Sequence, residues 1–206
     1  MNKEKELDSI IIKYEAALKV LETQMDIINS DFKYIKKYNP IEHVKTRIKS
    51  YDSIIKKLES DNIPFSLENV EKYVNDIVGL RIICSFPSDV YELIDIIRNS
   101  SLIKVIYEKD YITNPKASGY RSYHLIVEVP IELINNKYTV KAEIQIRTLA
   151  MDLWASLNHK LVYKADYSSA YIDGKLRMIG DELNAIDNEM TELFDLQTKI
   201  RENFQD

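Results

Sequence analysis

The chain has 206 residues, 45% of them apolar and 30% charged, with a net charge of −5. That supplies a packed core, argues against disorder, and excludes a surface built mainly to grip duplex nucleic acid, which is basic. The single cysteine, Cys84, excludes an internal disulfide framework; with no apolar run long enough for a bilayer and no signal-peptide pattern, a cytoplasmic protein is the expectation.

Residues 7–38 place Ile11, Tyr14, Leu18, Leu21, Met25, Ile28, Phe32 and Ile35 at steps of three and four, one face of a long helix. Asn39-Pro40 ends it. A basic stretch follows, with Lys45, Arg47, Lys49, Lys56 and Lys57, and within it Asp52-Ser53 opens a short helix. Ser66 is the expected N-cap of another, with Asn69 where a capping-box Glu would stand. Residues 77–86, rich in β-branched side chains, predict a buried strand. A helix is expected over 87–99, a second strand over 102–107, and a loop over 110–119 marked by Asn114-Pro115 and Ser118-Gly119. Strands over 120–129 and 138–148, joined by a turn at Asn135-Asn136, precede a helix over 149–163. Beyond Asp173-Gly174, helical periodicity returns over 175–204. The order predicts an α+β domain, a mixed sheet flanked by helices with long helices at both ends.

Strand alternation puts Lys141, Glu143, Gln145 and Arg147 on one face of the 138–148 strand and Ala142, Ile144 and Ile146 on the other. By itself that pattern is equally a solvated sheet face. The preceding strand carries Tyr120, Ser122 and His124 on one parity, so pairing would combine two polar faces into a site floor. Lys109, Lys116 and Gly119 lie just before Tyr120, and basic residues around a glycine turn suit a phosphate. Asp76, ahead of the 77–86 strand, could with Glu143 hold a cation that takes one or two carboxylates, or could merely flank the strand. In an unbroken strand Asp76 and Arg81 have opposite parity: either Asp76 belongs to the preceding loop or Gly79 marks a bulge. Cys84 and Trp154 read as core. His43, His124 and His159 lack metal-ligand spacing.

In order and spacing, Arg47-x-Lys49, Ser53-x-x-x-Lys57, Asp76-Ile77-Val78-Gly79-Leu80-Arg81, Gly119-Tyr120-Arg121-Ser122-Tyr123-His124, Glu143-Ile144-Gln145-Ile146-Arg147-Thr148 and Met151-Asp152-Leu153-Trp154-Ala155 resemble the synthetase domain of the RelA/SpoT superfamily, above all the stand-alone small alarmone synthetases of the RelQ type. The resemblance implies a nucleotidyltransferase-like fold with a mixed β-sheet of about five strands. It implies one synthetase domain over residues 1–206, with helical segments at 1–38 and 175–206, and no hydrolase domain. The activity implied is transfer of the β,γ-pyrophosphate of ATP to the ribose 3′-hydroxyl of GDP or GTP, with GMP a further acceptor, giving (p)ppGpp of the stringent response and AMP.

The resemblance also implies the roles of the residues. Arg47 and Arg81 would sandwich adenine, and Lys49, Ser53 and Lys57 would contact the ATP phosphates. Asp76 and Glu143 would bind Mg²⁺, for which Mn²⁺ could substitute, and Glu143 would be the base for the 3′-hydroxyl. Tyr120 would stack on guanine, Lys109, Lys116, His124 and Gln145 would serve the phosphate and ribose side of the acceptor, and Asp152 would read the guanine edge. RelQ-type enzymes form homotetramers through their terminal helices, and some are activated by product bound in a central basic cleft. The corresponding positions here are Glu22, Asp26, Asn29, His43 and Thr46. Acidic side chains repel a polyphosphate, so activation by pppGpp is not expected. A binding-only regulator of nucleotides or single-stranded RNA, the latter unsupported by the charge, and a helical scaffold are the competing readings.

Overall fold

Two strands that lie far apart in the sequence run parallel at the centre of the sheet. A computed structural model describes residues 3–36, 38–162 and 170–203. The elements are α1 (Lys3–Ile35), β1 (Ile41–Ile48), α2 (Tyr51–Ser60), α3 (Leu67–Tyr73), β2 (Val78–Cys84), α4 (Pro87–Arg98), β3 (Lys104–Asp110), β4 (Tyr123–Leu133), β5 (Asn136–Thr148), α5 (Leu149–Val162) and α6 (Ala170–Asn203). The strand order is β1-β2-β5-β4-β3. Only β2 and β5 are parallel; the other three pairings are antiparallel. This is the expected α+β architecture with a mixed five-stranded sheet.

The two faces of the sheet differ sharply. One bears rows such as Ile48–Val78–Ala142–Val127–Val105 and Val44–Ile82–Ile146–Tyr123, each residue paired with its neighbour in the row. α1 lies on this face: Leu7, Tyr14, Ala17, Leu21, Met25, Ile28 and Phe32, spaced by three, four or seven, are its buried stripe. The Thr46 hydroxyl, on the same side, donates to Glu22 of α1 at 2.6 Å. α4 joins the same core through Val90, Leu93, Ile94 and Ile97. Each fully buried Leu or Met in this core contributes about 1.5–3 kcal/mol. The opposite face carries the polar rows described below.

Several boundaries differ from those expected. β1 was expected only as a basic stretch; a register shift between Ile41 and His43 breaks its alternation. The Ser50 position, not Asp52, precedes α2. Ser66 caps α3 as expected, accepting from Asn69 N at 3.0 Å, but the Asn69 amide turns to Pro64 O instead of closing a box. β3 runs on to Asp110, so Lys109 is a strand residue. Tyr120 precedes β4 instead of opening it, and the β4–β5 turn is Ile134-Asn135, closed by the Leu133–Asn136 pair. α6 passes through Gly174, where a break was expected; a helical glycine costs only about 1 kcal/mol. Ile35 is exposed, not part of the α1 stripe. α1 ends at Ile35, short of the expected Tyr38, and the expected helix ends at Tyr163 and Phe204 lie outside the described residues.

Candidate functional site

Because paired residues share a face, the register alone assembles the polar floor. One row reads Lys45–Arg81–Gln145–His124–Lys109 across all five strands, and the next reads Arg47–Gly79–Glu143–Ile126–Tyr107. Between β1, β2 and β5 the floor opens into a cavity of about 210 Å³ lined by Lys45, Arg47, Gly79, Arg81, Glu143 and Gln145. Gly79 is part of this shape: a Cβ there would come within 3.3 Å of the Arg47 side chain, which lies across it. β2 has no bulge at Gly79, and Asp76 sits in the turn before the strand. The loop alternative for the parity of Asp76 and Arg81 is therefore the correct one.

Glu143 lies on a hydrogen-bond ring whose polarity, for a neutral His124, follows from Arg147. The buried Arg147 guanidinium can only donate. Its Nη2 donates to the Tyr120 hydroxyl at 2.7 Å and to Gln145 Oε1 at 2.8 Å. With its oxygen accepting from Arg147, the Tyr120 O–H donates to His124 Nε2 at 2.8 Å. His124 Nδ1 then carries the proton and donates to Glu143 Oε1 at 3.2 Å. Gln145 Nε2 donates to Glu143 Oε2 at 2.8 Å, closing the ring. Burial alone would raise the Glu143 pKa. The hydrogen bonds from His124 and Gln145 and the nearby Arg47 charge outweigh it and hold the carboxyl below its usual range. Glu143 is thus an ionised, oriented carboxylate on a half-enclosed floor.

Arg147 also ties in the N-terminal turn of α5. Its Nη1 donates to Asp152 Oδ1 at 3.2 Å, and Arg81 Nη1 reaches the same oxygen at 3.4 Å. Its Nε reaches Ser122 Oγ at 3.3 Å. Ser122 is fully buried, so it supports Arg147 and does not face the cavity as the strand alternation suggested. Beyond His124, the Tyr111 ring meets His124 at 5.2 Å and Tyr120 at 6.0 Å, edge to face. Lys116 Nζ stands 4.8 Å from the Tyr111 ring and 5.0 Å from the Tyr120 ring, and Lys109 Nζ 5.2 Å from Tyr111. Arg147 and Tyr111 were not among the expected site residues. The parity of Arg147 signalled its face but not its partners, and Tyr111 carried no signal in the sequence.

A second cluster lies where β1 runs into α2. Asp76 Oδ2 pairs with Lys49, and Lys57 Nζ is 3.5 Å from Asp76 Oδ1. Asp76 Oδ1 is buried and accepts no hydrogen bond. Ser53 is on α2, its Oγ 2.8 Å from Ser50 Oγ. The structure thus gathers Arg47, Arg81, Glu143 and Gln145 around one cavity, joins Tyr120, His124 and Asp152 to it through hydrogen bonds, and groups Lys49, Lys57 and Asp76 beside it. Among the described residues no set of three or more His, Cys, Asp or Glu could hold a metal ion. Any cation here would rest on two carboxylates and on substrate oxygens, an arrangement Mg²⁺ commonly takes. Asp76 Oδ1, buried without a hydrogen bond and faced only by the Lys57 charge, and the ionised Glu143 fit that chemistry.

Comparison with known proteins points the same way. The pattern described as "Region found in RelA / SpoT proteins" matches residues 46–168. The GTP pyrophosphokinase YwaC of Bacillus subtilis is 46% identical over 154 residues, 75% of this chain and 73% of that protein. The GTP pyrophosphokinase YjbM of the same organism is 34% identical over 193 residues, 92% of this chain and 89% of that protein. Among solved structures, small alarmone synthetase 1 of B. subtilis bound to its product pppGpp superposes with a TM-score of 0.86 at 33% identity, covering 93% of this chain and 97% of that one.

Proposed function

The chain belongs to the RelA/SpoT family, and from that membership we propose that it is a GTP pyrophosphokinase that makes (p)ppGpp from ATP and GDP or GTP. The observation that carries the reading is Glu143: an ionised carboxylate, oriented by His124 and Gln145, at the edge of a cavity walled by Arg47 and Arg81. The β1–β2–α2 side, with Arg47, Lys49, Ser53, Lys57 and Arg81, receives ATP. Planar guanidinium groups suit stacking on adenine, and the lysines suit the phosphate tail. The β4–β5 side, with Lys109, Lys116, Tyr120, His124, Gln145 and Asp152, receives the guanine nucleotide, GMP included as a further acceptor. Tyr120 offers the ring for stacking.

In the reaction the acceptor 3′-oxygen attacks the β-phosphorus of ATP. An O–P bond forms there, the bond from the α–β bridging oxygen to the β-phosphorus breaks, and AMP leaves with that oxygen. The 3′-hydroxyl proton passes to Glu143. A carboxylate with a lowered pKa is a weak base, but phosphoryl-type transfer depends more on positioning and charge neutralisation than on early proton removal. Asp76 and Glu143 would hold Mg²⁺, or Mn²⁺, whose charge would offset that of the phosphates. Asp152, whose Oδ1 is held by two guanidinium groups, would meet the guanine edge with its other oxygen.

Residues 1–206 act as one synthetase domain. The terminal segments, 1–38 and 175–206, build a homotetramer, supported by an outward stripe on α6 with a seven-residue repeat, Ile179, Ile186, Leu193 and Ile200. Product does not activate it: Glu22 is acidic and already engaged by Thr46. Among the described residues no helix is long and apolar enough to cross a membrane, and a cytoplasmic site of action fits its nucleotide substrates. Incubation with ATP, Mg²⁺ and GDP, followed by nucleotide chromatography, tests the reading. AMP and a new guanosine polyphosphate in equal amounts support it; nucleotide binding without turnover refutes it in favour of a regulator.

A further inference from the structure

Helix α6 runs against the loop that carries Lys116 and Tyr120, and the two main chains touch. Gly119 has φ +90°, a left-handed conformation that glycine adopts without strain. A Cβ on Gly119 would lie 3.0 Å from the Arg177 Cα of α6; a Cβ on Gly180 would lie 2.9 Å from the Gly119 carbonyl oxygen and 3.2 Å from Trp154 Nε1. The Gly180 gap has no room for a methyl group unless the backbone shifts, and the Gly119 gap takes one only if α6 gives way by a few tenths of an ångström, so helix and loop meet with no side chain between them. The next loop residue locks the contact. Arg121 Nη1 donates to Ile112 O at 2.7 Å, closing the loop on itself, and Nη2 donates to Asp181 Oδ1 of α6 at 3.1 Å. One turn earlier, Trp154 Nε1 donates to Leu176 O at 2.8 Å while its ring lies 6.1 Å from that of Tyr120. Two turns later, Thr148, the last residue of β5, donates to the buried Asp187.

We propose that Gly180 and Asp181 are positioning residues for the acceptor loop: through Gly119 and Arg121 they set where Lys116 and Tyr120 stand, and so govern acceptor affinity without touching nucleotide. This rests on Lys116 and Tyr120 serving the guanine nucleotide. ATP binds on the other side of the sheet floor, so its affinity is independent of α6 at this height.

Two variants and two readouts test the proposal. Gly180→Ala forces a methyl against the Gly119 carbonyl. Asp181→Ala removes the α6 end of the Arg121 bridge, leaving its bond to Ile112 O, and does so at an exposed position. In the unliganded proteins, both variants are expected to speed amide hydrogen exchange over residues 112–121 while β2 and β5 keep wild-type protection. In kinetics, KM for GDP is expected to rise about tenfold for Gly180→Ala, as overpacking against backbone predicts, and about threefold for Asp181→Ala, as an exposed ion pair predicts. KM for ATP stays at the wild-type value, and Asp181→Glu restores the GDP value. Unchanged exchange in both variants, or equal rises in the two KM values, overturns the proposal. Faster exchange in variants of a protein that makes no guanosine polyphosphate leaves the positioning intact and sinks the activity; normal turnover with unaltered exchange does the reverse.

Discussion

Arg147→Met strands a buried carboxylate. The Arg147 guanidinium, in a residue only 3% exposed, donates to Tyr120, Gln145, Asp152 and Ser122. Methionine replaces much of its stem and none of its donors. Asp152 Oδ1 would keep only Arg81, at 3.4 Å. Removing one partner of a buried pair costs about 3–5 kcal/mol, because the remaining charge is left without compensation. For a chain of this size each kcal/mol lowers Tm by about 2–4 °C, so the variant should melt about 6–20 °C below wild type. Urea unfolding of wild type, Arg147→Met, Asp152→Asn and the double variant measures the coupling directly. The double variant should recover part of the loss, because the stranded charge leaves with its partner, giving a coupling of about 0.5–3 kcal/mol. A loss under about 1 kcal/mol, with no relief from Asp152→Asn, would refute Arg147 as the hub of the site.

Glu143→Gln should abolish turnover while calorimetry still detects ATP and GDP; a variant with wild-type turnover sinks the assignment of the base. Since the Glu143 pKa is lowered in the fold, its ionised form stabilises the protein above the unfolded value of about 4.3, and that contribution is lost as pH falls through the folded value. Urea stabilities of wild type and Glu143→Gln should therefore converge on acidification, and a gap that widens there contradicts the charge assignment. Asp76→Asn should cut Mg²⁺-dependent turnover about 100-fold or more, yet leave metal-free ATP binding at least as tight, because Lys49 and Lys57 are released to the phosphates; equilibrium dialysis without metal decides this. Adding pppGpp should leave the initial rate of (p)ppGpp synthesis unchanged, and a clear rise would show that Glu22 and Asp26 do not repel it.

Much of the floor was legible because alternation is a local property. Glu143 and Gln145 share a face by spacing alone, and the structure keeps them together with His124. What failed was set by geometry that spacing does not encode. β1 was hidden by the register shift after Ile41, which puts Ile41 out of phase with Val44 and Ile48 in a period of two. Lys109 reads with the loop before Tyr120, whose signals, Asn114-Pro115 and Ser118-Gly119, do not fix where the preceding strand ends. β3 runs on to Asp110, whose carboxylate accepts from Ile112 N at 2.7 Å and Thr113 N at 3.0 Å and so closes the strand's end. Arg147 was placed on the right face without a role, since Tyr120 and Asp152 reach it from a loop and a helix that only the folded chain brings near. The α6 contact was invisible because its signals, Gly119 and Gly180, lie 61 positions apart and have no side chain to betray a partner.

The position of β5 has a consequence for how the enzyme is made. Among the described residues it is the last strand to leave the ribosome and the middle strand of the sheet. Until residue 148 has emerged, β1 with β2 and β3 with β4 are two separate ribbons, one carrying Lys45, Arg47 and Arg81, the other His124 and Lys109. No ladder joins the half that would hold ATP to the half that would hold the acceptor. A nascent chain that stalls before that strand therefore has neither a joined floor nor Glu143, and the capacity to spend ATP arrives in a single late event of synthesis.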